Sequence, residues 1–184
     1  MEYLKRSIKS STKAIAKKSE LNISFDDKNK IDSIILPNID KNSSESDIIA
    51  IRGKADSEAL IKRYHNKVIH KKYRPNNSSD KNLFDSLEQL RCESIGSKTM
   101  LGIEKNLNEL VSQKYKKAGY TKKSKKIDIP AIEALKMYIK KIITSSSLPI
   151  EAEYVLSPWQ SILEKKFLSN TSLLEKNITD QEEF

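Results

Sequence analysis

Both histidines of the chain, His65 and His70, fall inside one short stretch, RYHNKVIHKKY at 63–73. Imidazole is a metal ligand and a proton carrier near neutral pH, so much depends on whether the two rings act together. On one continuous helix a spacing of five sets them ~140° apart, at about 100° per residue. Helical ligand pairs use spacings of three or four, because only those side chains share a face. The pattern therefore predicts rings on different flanks. A metal site would need carboxylates from a neighbouring helix, with Glu88 and Glu93 as the weak candidates. Taken alone, the two imidazoles are expected to bond to neighbours or solvent and to hold no metal.

Other chemical motifs are sparse. GSKT at 96–99 shares letters with the end of a phosphate-binding P-loop, but Ser97 stands where that motif needs Gly directly before Lys. Gly96 is instead expected to close a helix. The chain has four glycines, too few for glycine-rich phosphate cradles, and it contains no His-Glu-x-x-His run and no glycine-flanked nucleophilic serine. The single Cys92 excludes a disulfide framework and cysteine-zinc sites, and fits a reducing compartment. A neighbouring Arg can lower a thiol pKa, yet Cys92 reads first as a small core residue.

The run KYKKAGYTKKSKK, 114–126, contains seven lysines and no acid, with Tyr115 and Tyr120 interleaved. It reads as an exposed loop, and such a loop can bind single-stranded nucleic acid by stacking and charge. The formal net charge of +9 adds little, because only five of the 34 basic residues are Arg. Lysine is the poorer choice for two-point recognition of phosphate or base. Trp159, after Pro158, reads as a core or docking anchor.

These residues must be carried by some set of elements, and composition narrows the choice. A chain of 184 residues suits one domain. With four Gly and five Pro it cannot supply the turns of a sandwich or barrel. Leu4, Ile8, Ala14 and Ile15 predict a helix over 2–18. LNISF (21–25) and DSIILP (32–37) predict two short strands. Ser44 and Asp47 form a capping box before a long helical region, which Gly53 weakens, so that its start is expected near Ala55. RPNNSSD (74–80) ends that region and offers Ser79 or Asp80 as the next N-cap. Apolar periods then predict helices from 80 to Gly96, from Met100 to Val111, and after Asp128 and Pro130 as far as Ile143. Two further segments, 150–168 and 171–184, complete the chain. The expected fold is mainly α: about six helices with a small two-stranded β ribbon near the N-terminus. Its parts are 1–46 (helix, ribbon, loop), 47–145 (helical core) and 150–184, where seven acids face three lysines. No run approaches ~18 apolar residues and the N-terminus lacks a signal-peptide core, so no membrane contact and a cytoplasmic location are expected.

One family resemblance spans nearly the whole chain. RGKADSEALIKRYHNKVIHKKYRP (52–75) resembles the Arg-Gly-x-Ala-Asp-Ser-x-Ala-Leu … His … His-Arg/Lys … Pro segment of the CobT subunit of aerobic, ATP-dependent cobaltochelatase. LFDSLEQLRCESIGSKTMLGIEKNL (83–107) is similar to its Phe-[Asp/Glu]-x-x-Glu-Gln-x-Arg-x-Glu-x-Ile-Gly … Met-x-Gly-x-x-x-Asn-Leu run, with Cys92 where an apolar residue is usual. KAIAKKSELNISF (13–25) and PWQSILEKKF … LEKNITDQEEF (158–184) are looser matches to its ends.

The resemblance implies a non-catalytic subunit that supports cobalt insertion into the corrin ring of hydrogenobyrinic acid a,c-diamide. In that family an AAA+ ATPase subunit (CobS) forms a ring with CobT and drives a large corrin-binding subunit (CobN). The implied partners are thus CobS-like and CobN-like chains in a hetero-oligomer. ATP, Mg and Co are used by the complex, and no cofactor is held by this chain. The family's integrin-like C-terminal domain, with its Asp-x-Ser-x-Ser motif, is absent from the 184 residues, so an N-terminal domain is expected. The motif helices are expected to present Asp56, His65, His70, Glu88, Arg91 and Glu93 as one polar seam that stabilises the domain or docks a partner. The alternative from another class is a stand-alone basic helical module that binds nucleic acid through loop 114–126. An independent enzyme has no catalytic constellation to support it.

Overall fold

The computed structural model describes residues 1–25, 33–100, 102–144, 146–167 and 171–184. The first apolar period becomes α1 (Glu2–Ala16). Its buried side runs through Ile8, Thr12 and Ala16, with Leu4 and Ile15 beside them, while Ala14 is exposed. Thr12 can take a core position because its hydroxyl donates to the Ile8 carbonyl at 2.6 Å, hiding its polarity within the helix. β1 (Asn22–Phe25) and β2 (Ser33–Leu36) pair in parallel, Asn22 opposite Ser33 and Phe25 opposite Leu36. Asp32, which the sequence included in the second strand, lies outside the described residues. Leu21, Ile23, Ile34 and Leu36 join α1 and the next helix in one apolar cluster.

That helix, α2 (Glu45–Tyr64), opens on the expected capping box. Asp47 N donates to Ser44 Oγ and Ser44 N to Asp47 Oδ2, both at 3.1 Å. It does not wait for Ala55, because Gly53 serves packing rather than breaking the start. A Cβ there would sit 2.2 Å from the Asn106 carbonyl oxygen on α5 (Ile103–Lys117), so only glycine allows this approach.

The largest departure from expectation follows. The continuous helix assumed across both histidines is broken at His65, whose backbone is extended. Asn66 then caps a new helix, α3 (Lys67–Tyr73), its side-chain oxygen accepting from Val68 N at 2.9 Å and Ile69 N at 3.4 Å. α4 (Ser78–Thr99) is capped by Asn77 instead of Ser79 or Asp80. It runs through Gly96, which is no C-cap: a Cβ there would lie 2.3 Å from Leu60 Cδ2. Both glycines mark places where helices touch.

α5 extends to Lys117 and so takes in the first lysines of the supposed loop. A 3₁₀ turn (Lys126–Asp128) leads through Pro130 into α6 (Ala131–Thr144). The stretch expected at 150–168, whose last residue lies outside the described residues, holds two helices, α7 (Ile150–Leu156) and α8 (Gln160–Phe167), separated at Pro158, before α9 (Thr171–Lys176). With these breaks, the described residues contain nine α-helices and the small sheet. No described helix is long and apolar enough to cross a membrane.

The apolar residues form two main clusters. One joins α1, the sheet and α2; the other joins α4, α6, α7 and α8 around Ala134, Ile143, Ala152 and Leu156. Leu60, Cys92, Ile103 and Leu107 form a third, smaller cluster where α2, α4 and α5 meet.

Candidate functional site

Polar residues of α2 and α4 converge where α2 stops. Arg91, only 1 % exposed, is the hub. Its Nε donates to Glu88 Oε2 at 2.8 Å and its Nη2 to Glu88 Oε1 at 2.9 Å. Nη2 also donates to the Tyr64 carbonyl at 2.9 Å, and Nη1 to the Ile178 carbonyl at 3.1 Å. One guanidinium therefore ties α4 to the C-terminal end of α2 and to the last turns of the chain. A planar fork with five N–H donors can do this, and an ammonium cannot. Burial alone would push the Glu88 carboxyl up, but its bonds to Arg91 and His65 outweigh this and hold it below its ordinary range. Cys92 packs against the same carboxylate, fully buried, and burial with the Glu88 charge pushes its thiol far up. It is an inert core residue, as expected of a small residue standing where the family pattern usually has an apolar one.

The two histidines lie together at the edge of this hub. His65 Nδ1 is 2.9 Å from Glu88 Oε1, and His70 Nε2 is 2.8 Å from Asp85 Oδ1. Their ring centroids are 4.7 Å apart at an interplanar angle of 71°. The predicted ~140° separation held only for an unbroken helix; the break at Asn66 resets the phase and brings the rings into contact. Asp85 also takes a two-point ion pair from Arg74, whose hydrogen bonds hold its carboxyl below the usual range. Phe84 stacks at a tilt on His70, centroids 4.9 Å apart.

The C-terminal residues close over the break. Gln181 Oε1 accepts from Asn66 N at 2.6 Å while its Nε2 donates to Asn66 O at 3.0 Å, so one amide satisfies both backbone groups exposed by the interruption. Glu182 accepts from Lys72 at 2.6 Å and from the Tyr73 hydroxyl at 2.5 Å. Beneath them lies a cavity of about 210 Å³, lined by residues including Ile69, His70, Phe84, Leu87, Glu88 and Phe184.

The six residues expected to form one seam divide among three places. Only His65, His70, Glu88 and Arg91 meet. Glu93 is on the next face of α4 and accepts from Ser57 Oγ at 2.6 Å and Gln89 Nε2 at 2.8 Å. Asp56 faces α5 instead, accepting from Asn106 Nδ2 at 2.7 Å, and burial pushes its carboxyl up. The divergence is geometric: Asp56 lies about two and a half turns before His65 on α2, and Glu93 is five residues beyond Glu88 on α4, so neither side chain shares the hub's face. The expectation missed Asp85, Arg74, Gln181 and Glu182. Asp85 stood in the quoted Phe-Asp motif and Gln181 in Asp-Gln-x-x-Phe, but no local spacing links 181 to 66. Lys140, on α6 and 6 % exposed, was also missed; burial pushes its amine down, the Glu93 and Glu104 charges oppose this, and its Nζ has no hydrogen-bond partner among the described residues.

The lysine run is a loop only in its second part: 114–117 belong to α5, and Tyr120 in the exposed stretch after it is half-buried. Tyr115 is buried and its hydroxyl donates to Glu133 at 2.9 Å, while Lys114 and Lys116 pair with Glu133 and Glu151. Its ring is thus unavailable for stacking on a base. Trp159 anchors locally, its Nε1 donating to the Ile129 carbonyl at 3.1 Å, with Lys126 over its ring at 4.5 Å.

The hub offers no activated nucleophile. It fixes three chain segments to one another and holds two imidazoles against carboxylates. A family model described as cobalamin biosynthesis protein CobT matches residues 1–184, the entire length given. The chain belongs to the CobT family. Membership associates it with cobalamin biosynthesis, and the matched length includes every residue of the hub, from Tyr64 to Glu182. No solved structure matches this chain.

Proposed function

We propose that this CobT-family chain is a non-catalytic domain of aerobic cobaltochelatase, supporting ATP-driven cobalt insertion into a corrin ring. The family match over 1–184 carries the reading. The hub supports it: Glu88, Arg91 and Cys92 are consumed in internal bonding, as in a scaffold rather than an active site. In this reading ATP and Mg²⁺ belong to an AAA+ ATPase partner, the corrin to a large subunit, and Co²⁺ is cargo. The inner hub sets the angle between α2, α3 and α4, and its exposed rim meets the partner. That rim includes Val68, Tyr73 and Arg74, of which Val68 is 78 % exposed.

The test is reconstitution. The purified chain should co-elute with the ATPase subunit, and Val68→Asp should weaken that complex while leaving the melting temperature unchanged. Failure of the wild-type chain to associate with either chelatase partner, with or without ATP, would remove the proposal.

A further inference from the structure

We propose that His65 and His70 form a two-imidazole site for a borderline divalent transition ion of the copper and zinc kind. The donors alone lead there, and the site does not depend on the chelatase reading. Each ring already has one nitrogen held by a carboxylate, His65 Nδ1 by Glu88 Oε1 at 2.9 Å and His70 Nε2 by Asp85 Oδ1 at 2.8 Å. A carboxylate behind the ring is the usual arrangement for a metal-ligating histidine, because it fixes the tautomer and raises the basicity of the other nitrogen. The nitrogens left over are His65 Nε2 and His70 Nδ1. His70 Nδ1 is buried and has no hydrogen-bond partner among the described residues. A buried polar atom without a partner costs free energy unless an ion or water meets it.

The spacing of the rings is right for one ion. A ligand nitrogen stands about 2.0–2.1 Å from such an ion, which puts two adjacent imidazole centroids roughly 4.5–5.2 Å apart. The observed separation is 4.7 Å. The cavity of about 210 Å³ beside His70 and Glu88 supplies room for the remaining water ligands.

Charge selects the class of ion. Glu88 is balanced by Arg91 and Asp85 by Arg74, so neither carboxylate is free to bind a hard cation. Imidazole nitrogens as donors favour copper, nickel, cobalt or zinc over magnesium or calcium. No group of three His, Cys, Asp or Glu side chains suited to a metal occurs among the described residues. The protein therefore contributes two ligands, and binding is weaker than at a closed structural site.

The chain has two histidines, so their ring signals can be followed in the unmutated, untagged protein. Zn²⁺ titration by histidine NMR should move both rings together, saturating at one ion per chain, whereas Mg²⁺ and Ca²⁺ should move neither. Cu²⁺ electron paramagnetic resonance should show two coupled imidazole nitrogens. Asp85→Asn should weaken Zn²⁺ binding by about 10- to 100-fold, as loss of a carboxylate behind a ligand does. Unmoved ring signals under Zn²⁺, a single coupled nitrogen, or rings that titrate independently would each overturn the site. His65→Ala and His70→Ala should each abolish binding; if either fails to fold, the unmutated spectra decide.

Discussion

Arg91 and Glu88 form a two-point ion pair, Nε to Oε2 at 2.8 Å and Nη2 to Oε1 at 2.9 Å, with the arginine 1 % exposed. Removing one member strands the other charge in the interior, which typically costs about 3–5 kcal/mol. Arg91→Ala is expected to lose stability on that scale in urea denaturation. The double substitution Arg91→Leu with Glu88→Leu should recover only part of it, because the Tyr64 and Ile178 carbonyls also lose their donor. A single variant as stable as wild type would contradict the hub's role.

The two interhelical glycines should respond unequally to alanine. At Gly53 the added Cβ meets a backbone carbonyl oxygen at 2.2 Å, which cannot move without shifting α5. At Gly96 it meets the end of the Leu60 side chain at 2.3 Å, which can rotate. Overpacking costs about 1–3 kcal/mol, more than the ~1 kcal/mol that alanine gains over glycine in a helix. Both variants should therefore melt lower, Gly53→Ala by more. Equal melting points for the two would count against this packing.

Stability should fall in acid. The folded-state pKa of Glu88 is depressed below its ordinary 4.5, since the Arg91 and His65 bonds outweigh the upward push of burial. A depressed carboxyl contributes stability above its unfolded pKa and loses it as pH drops through the folded one. Asp85 and Glu133 are depressed as well, by bonds dominated by Arg74 for the first and by Lys114, against burial, for the second. Unfolding free energy is thus expected to decline below about pH 4.5, with a shallower decline in Glu88→Gln. An identical acid slope in that variant would exclude Glu88 as a contributor.

Gln181 closes the gap between α2 and α3 by bonding both backbone groups of Asn66. Gln181→Ala should cost about 0.5–1.5 kcal/mol per lost bond. It should also speed hydrogen exchange at the Asn66 amide while leaving the amides within α5 unchanged. Uniform acceleration over the whole chain would instead indicate global destabilisation.

Much of the fold is legible in local pattern. Apolar periods of three and four located most helices, and the Ser44–Asp47 capping box is present, although α2 starts directly after it and not near Ala55 as expected. Elsewhere a local rule met a tertiary use of the same residue. Gly53 looks like a helix weakener because glycine costs helix stability in isolation, and Gly96 looks like a helix end, but each is kept where a second helix leaves no space for a Cβ. Thr12 is polar by type, yet it is buried because its hydroxyl bonds within its own turn. Tyr115 seemed a loop aromatic among lysines, and it is core because α5 continues past it.

The sequence by itself determined the mainly helical class with its small N-terminal sheet, the packing role of Cys92, and the motifs by which CobT-family membership was expected. Those are properties of composition, periodicity and fixed local spacing. Only the tertiary structure decided which polar residues meet. Asp56 and Glu93 turn away from the histidines because each helix face bonds to the neighbour it happens to face. His65 and His70 come together because Asn66 interrupts the helix between them and Gln181, 115 residues later, satisfies the interruption. Five residues apart on a straight helix, the rings would have pointed to opposite flanks; across a break stabilised from the far end of the chain, they touch.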